Sequence, residues 1–207
     1  MFDIRGHGNS AISDYPLTYA LICDDIVHLL DKLKIEKAFI CGYSTGGSIV
    51  LNFLLSYPER AIGGILISSM SEVNDWLLRK EIALAAFLSK KKWMKALVTS
   101  VCYGNSDTKE TFTELYNEAK KGNAKNIQQY YQHSLTYCCT SQLPRIKHPV
   151  LLLYGENNKQ FQPHAQLISK SLRNNELIFI KNGKHQLPTK SASEVNRVIK
   201  EFALKYT

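Results

Sequence analysis

Residues 38–51 read AFICGYSTGGSIVL, an apolar strand that runs into Gly42-Tyr43-Ser44-Thr45-Gly46 and then into an apolar helix. A strand that turns directly into a helix is the building unit of a parallel α/β sheet. A tight turn of this kind pushes one side chain, here that of Ser44, out at the carboxyl end of the strand. The expectation is that glycines flank it, at Gly42 and Gly46, because a Cβ there would clash. The helix that follows is predicted to bury Ile49, Val50, Phe53 and Leu54.

The rest of the chain repeats the alternation. Leu17 to Leu33 carries Ile22, Ile26, Leu29, Leu30 and Leu33 at the spacing of one helical face. Further strands are predicted at Gly63 to Ser68, Pro149 to Gly155 and Glu176 to Ile180. A final helix presents Val195, Val198, Ile199 and Phe202 on one side behind a capping box of Ser191 and Glu194. Between the second and third strands lie about eighty residues without a strand signal, too many for a structureless connection in a compact domain. They are expected to form an inserted helical lobe. Within it, Asp107 and Glu110 are predicted to cap a helix bearing Phe112, Leu115, Tyr116 and Ala119, stopped at Gly122. The Tyr- and His-rich segment from Asn126 to Tyr137 either packs or lines a pocket. The fold class is thus α/β, a mostly parallel sheet with helices on both faces. Residues 1–70 and 145–207 make the core, and 71–144 an inserted helical cap.

Composition narrows the partners. The chain of 207 residues is 44% hydrophobic, enough for one substantial core with an insertion. No apolar run approaches the roughly 20 residues that span a bilayer, and Asp3 and Arg5 follow the start instead of an apolar leader. A soluble, unexported, cytoplasmic protein is expected. Cysteines 23, 41, 102, 138 and 139 form no CxxC pair and lie beside no histidine at ligand spacing, so reduced thiols and no zinc site are expected. Cys41 is placed in the core, and adjacent Cys138 and Cys139 are the one pair open to oxidation. The net charge of +8 is concentrated at Lys90, Lys91, Lys92 and Lys95 and at Lys120, Lys121 and Lys125. Trp93, Met94, Leu97 and Val98 interrupt the first group at helical spacing, so these lysines read as the wet face of an amphipathic helix. Neither a nucleic acid nor a membrane is expected as a partner.

With the pieces assembled, the chain resembles the α/β-hydrolase fold superfamily across nearly all its length. Four stretches carry the resemblance: Phe2-Asp3-Ile4-Arg5-Gly6-His7-Gly8-Asn9-Ser10, the Gly42–Gly46 turn, Val150-Leu151-Leu152-Leu153-Tyr154-Gly155-Glu156, and Asn182-Gly183-Lys184-His185. Their order matches a serine, then an acid, then a histidine. The resemblance implies Ser44 as nucleophile at a nucleophile elbow, His185 as general base, and the Thr45 N–H as an oxyanion-hole donor. It implies a serine hydrolase, carboxylesterase- or lactonase-like, acting on a small acyl substrate through an acyl-enzyme, with no metal or organic cofactor. His7 belongs to the first stretch and reads as structural. His28, His133, His148 and His164 are expected as polar surface residues.

The chain departs from the family pattern in two places. Where the family usually carries an aspartate, this sequence has Asn158, which can orient an imidazole but cannot neutralise an imidazolium. Glu72 and Asp75, after the preceding strand, are the alternative acids, while Glu156 is expected to point elsewhere; the sequence leaves the third member open among Asn158, Glu72 and Asp75. The sequence also starts directly on the first stretch, without the strands and the second oxyanion N–H that the resemblance places before it. An internal methionine or a truncated gene is the expected reason. The strand at Ala38 to Gly42 would then form an apolar edge open to self-association. Both departures favour an alternative reading: a catalytically impaired homologue that binds a small molecule or a partner protein.

Overall fold

The structure is a computed structural model that describes residues 2–206; Met1, on which the reading of the start bears, lies outside them. In chain order the elements are α1 (Tyr19–Lys32), β1 (Ala38–Tyr43), α2 (Thr45–Ser56), β2 (Ala61–Ile67), α3 (Trp76–Leu88), α4 (Met94–Asn105), α5 (Lys109–Ala119) and α6 (Ala124–Thr136). They continue with β3 (Val150–Gly155), α7 (Gln162–Ser171), β4 (Asn175–Ile180), α8 (Leu187–Lys190) and α9 (Ala192–Ala203). The described strands form one parallel sheet in the order β1-β2-β3-β4.

Burial follows position in the sheet. Every residue of β3 is buried, as a strand covered on both faces requires. On one face Ile65, Ile67, Leu151, Leu153 and Ile180 pack against Val195, Val198 and Phe202 of α9. On the other, a Cβ at Gly64 would touch Leu54 and Val50 of α2, so that helix lies close against β2. β1 is an outer strand and only Ile40 on it is fully buried. Cys41 is therefore exposed, against the expectation of a core position, because an outer strand has a neighbour on one side only. Cys23, Cys102 and Cys139 are buried, Cys138 is exposed, and all five are free thiols.

The chain divides into two compact units: one of residues up to Ile22 with Val73–Tyr137, the other of Cys23–Glu72 with residues from Cys138 onward. Residues 2–22 thus group with the helices, whereas the sequence reading assigns them to the core and starts the insertion at 71. Hydrogen bonds explain the grouping. Ser13 N–H donates to Asn126 Oδ1 (2.9 Å), the Asn126 amide donates back to Ser13 O (3.1 Å), and Asn123 N–H donates to Gly6 O (2.7 Å). Tyr19 sits among the rings of Tyr130, His133 and Tyr137.

Three local expectations change. Thr108, not Asp107, caps α5: its Oγ1 accepts the Thr111 N–H at 3.1 Å, because Thr108 is the residue that is still extended. Ser191 precedes α9 without a side-chain cap, and Glu194 turns outward to Arg197. Lys90 to Lys92 lie in the turn between α3 and α4, so only Lys95 rides on a helix with the buried Leu97 and Val98. Among the described residues no helix is long and apolar enough to cross a membrane.

Candidate active site

The turn from β1 to α2 is held by its backbone. Ser44 has φ 54° and ψ −122°, a region that non-glycine residues enter at a cost of about 1–3 kcal/mol and keep only when the surroundings fix it. Here the Ser44 N–H donates to Ile67 O (2.8 Å), and Ser69 Oγ donates to Ser44 O (2.8 Å). The steric demand for glycine falls partly where the motif puts it. A Cβ at Gly42 would stand 2.2 Å from Gly46 O, but one at Gly46 would meet nothing within 4 Å. The second crowded position is Gly47, where a Cβ would lie 2.0 Å from Ser69 Oγ. Thr45 opens α2, so its N–H belongs to the helix's first turn, where amides lack intrahelical acceptors and favour negative charge.

His185 reaches the serine from the loop after β4. Gly155, at the end of β3, allows the approach, since a Cβ there would come within 2.4 Å of the Gly183 and Lys184 carbonyls. The Asn157 N–H donates to Gly183 O (2.8 Å), and the Asn182 N–H to Glu156 Oε2 (3.0 Å), which ties the loop to the strand end. His185 Nε2 then lies 3.1 Å from Ser44 Oγ. The rings of Phe161 and Tyr43 stand 4.4 and 5.2 Å from the imidazole, and burial lowers its pKa to about 4.

Asn158 completes the line, 8% exposed, with its Nδ2 3.2 Å from His185 Nδ1. The Asn158 amide is thus within hydrogen-bond reach of Nδ1, and the tautomer of the ring decides which of the two donates. The other carboxylate candidates are engaged elsewhere. Glu72 accepts the Cys138 thiol at 3.0 Å, Asp75 caps α3 by accepting the Leu78 N–H at 2.7 Å, and Glu156 holds Asn182. Ser44, Asn158 and His185 are thus brought together, with Thr45 adjoining, and Glu72 and Asp75 are not part of the cluster. Sequence reasoning missed Ser69, Gly47, Gly155 and Phe161. The signal for the first was the run Ser68-Ser69-Met70-Ser71 directly after β2, polar residues at the carboxyl end of a parallel strand, where sites form. His164, expected at the surface, is 2% exposed beside Phe161.

A family model of the alpha/beta hydrolase fold matches residues 1–188. The chain belongs to the α/β hydrolase fold family. It is similar to the bifunctional esterase/perhydrolase DCH of Acinetobacter calcoaceticus, 24% identical with 97% of this chain and 79% of that protein covered. It is likewise 24% identical to the serine hydrolase BPHL of Homo sapiens, over 97% of this chain and 67% of that one. Among solved structures, the enol-lactonase from Burkholderia xenovorans LB400 superposes with a TM-score of 0.85 at 18% identity, covering 98% of this chain and 79% of that one. The chain is an α/β-hydrolase-type enzyme.

Proposed function

We propose that this α/β hydrolase is a serine hydrolase of carboxylesterase or lactonase type, cleaving a small acyl substrate through an acyl-enzyme. The observation that carries this reading is the 3.1 Å approach of His185 Nε2 to Ser44 Oγ at a strained strand-to-helix turn. In the reaction, Ser44 Oγ bonds to the acyl carbon while its proton passes to His185 Nε2, and the carbonyl electron pair moves onto oxygen. The Thr45 N–H stabilises that oxyanion. The intermediate then collapses: the bond to the leaving alcohol breaks, the alcohol takes the proton from Nε2, and the acyl group stays on Ser44. Water repeats the sequence to release the acid. The esterase and lactonase names of the relatives support this class.

The sequence of steps needs a lone pair on Nε2, hence a proton on Nδ1. The Asn158 amide supports that tautomer with its Oδ1 toward the ring, where it accepts the Nδ1–H. An amide beside Nδ1 cannot neutralise an imidazolium as a carboxylate does, which favours a second reading, a catalytically impaired homologue that binds a small molecule or partner protein. Labelling with a fluorophosphonate, read by the mass of the intact protein, separates the two. The hydrolase reading expects one adduct on the wild-type chain and none on Ser44→Ala. A folded wild-type chain that stays unlabelled overturns it in favour of the impaired homologue.

A further inference from the structure

The helical unit holds a half-open cavity of about 410 Å³, within the range of small-molecule sites. Its lining comes from residues 3–8 and from α4, α5 and α6, and includes none of Ser44, Asn158 or His185. Most of the wall is apolar, made by Leu97, Val98, Val101, Leu115 and Ile127. Such a wall selects a hydrophobic body. The few polar groups then decide what the body must carry.

His7 is the informative one. Its Nδ1 lies 3.2 Å from Arg5 O, and a carbonyl only accepts, so Nδ1 carries the proton. Burial lowers the ring's pKa and favours the neutral form, which leaves the lone pair on Nε2. The remaining polar atom of this ring is therefore a neutral hydrogen-bond acceptor. Tyr131, whose phenol burial keeps un-ionised, adds a neutral hydroxyl to the same wall. The two carboxylates in the lining are already engaged: Asp3 Oδ2 accepts the Asn9 N–H at 2.9 Å, and Glu118 pairs with Lys121 at 2.7 Å. An anionic ligand would face both of them, and a cationic one would have to compete with the partners they already hold.

We propose that this cavity is a binding site for a small neutral alcohol or phenol, with its apolar body among the α4–α6 side chains and its hydroxyl donated to His7 Nε2. The site is independent of the hydrolase reading, because Ser44→Ala leaves every lining residue in place. The test titrates the full chain, uniformly ¹⁵N-labelled, with benzyl alcohol, toluene, benzylammonium and benzoate. Benzyl alcohol is expected to saturate, to move the His7 Nε2 resonance, and to bind about tenfold tighter than toluene, the scale of one net hydrogen bond. His7→Phe keeps the ring's bulk and is expected to bring the two ligands level, and Val98→Trp is expected to exclude both by filling the space. Ser44→Ala is expected to bind as the wild type does. The proposal is overturned if benzyl alcohol does not saturate, if it leaves the His7 Nε2 resonance of the wild-type chain unmoved, or if toluene or benzylammonium binds as tightly.

Discussion

At Ser44 the backbone sets the geometry, through a positive φ, two fixed hydrogen bonds and the crowded glycines at 42 and 47; at Asn158 one side-chain amide, 3.2 Å from His185 Nδ1, sets the tautomer. The first end of the line cannot change without moving β1 or α2. The second changes by rotation about one bond. A rigid strand-to-helix turn can therefore stand beside a histidine whose tautomer one amide rotation changes. The Asn158 side chain is free for this role because it makes no capping bond to the helical turn that follows it.

The largest expected effect comes from breaking the rigid end. Ser44→Ala removes the atom that His185 Nε2 faces, and hydrolysis of p-nitrophenyl acetate should fall by about 10⁴-fold or more, to the level that binding alone supports. A residual rate within tenfold of the wild type would place the nucleophile elsewhere.

Next comes the adjustable end. Asn158→Asp replaces an amide that can donate with a carboxylate that only accepts, which fixes the proton on Nδ1 and stabilises the imidazolium. The reverse change in a serine protease costs about 10⁴ in turnover, so a gain of about 10²–10⁴ in the rate of p-nitrophenyl acetate hydrolysis is expected. Asn158→Leu should lose activity, since it leaves Nδ1 buried without a partner. Equal rates for Asp and Asn at this position would show that the amide already turns freely during turnover.

A smaller effect belongs to pH. His185 has a folded pKa of about 4, set by burial, against an ordinary value near 6.5. Between those values the unfolded chain binds a proton that the folded chain refuses, so stability is lost as pH falls through the window and is complete above it. For one group this amounts to roughly 2–3 kcal/mol, after allowance for partial exposure. The difference in urea midpoint between pH 7.5 and pH 4.5 should shrink in His185→Gln; an unchanged difference would mean that the ring is not the group responsible. In Asn158→Asp the acid limb of the rate profile should move up from about pH 4, because the new carboxylate favours the imidazolium.

What the sequence made legible follows the same division. The strands at 38–43, 61–67, 150–155 and 175–180 were readable because a buried parallel strand is a short apolar run bounded by breakers. Ser44 was singled out by a strand-to-helix turn with glycine on either side, and His185 by the resemblance that the stretch Asn182 to His185 carries. Asn158 was found as a position, but which atom of its amide faces Nδ1 is a matter of local contacts that no spacing encodes. Phe161 and Tyr43, which desolvate His185, gave no signal beyond being aromatic. The grouping of residues 2–22 with the helices was hidden for the same reason: it rests on pairs such as Ser13 with Asn126, 113 residues apart. Local patterns reported elements, and long-range side-chain contacts decided how those elements work together.

The smallest effect tests the rigid end without touching the chemistry. Gly46 and Gly47 are adjacent, both lie in the first turn of α2, and the motif names only the first. At Gly46 an alanine methyl enters open space and gains helix propensity, so Gly46→Ala should stabilise the fold by about 0.5–1 kcal/mol. At Gly47 the same methyl would stand 2.0 Å from Ser69 Oγ and 2.4 Å from Ser69 Cβ. Ser69 holds the Ser44 carbonyl, so it cannot step aside without releasing that bond. Gly47→Ala should cost about 1–3 kcal/mol, the range for overpacking a filled interior, and should also slow labelling of Ser44. Trimming the obstacle gives the decisive comparison: in a Ser69→Gly background most of the Gly47→Ala penalty should disappear, as a shared contact requires. If the two penalties simply add, Ser69 is not what makes the second glycine necessary, and the turn is held by α2 and β1 alone.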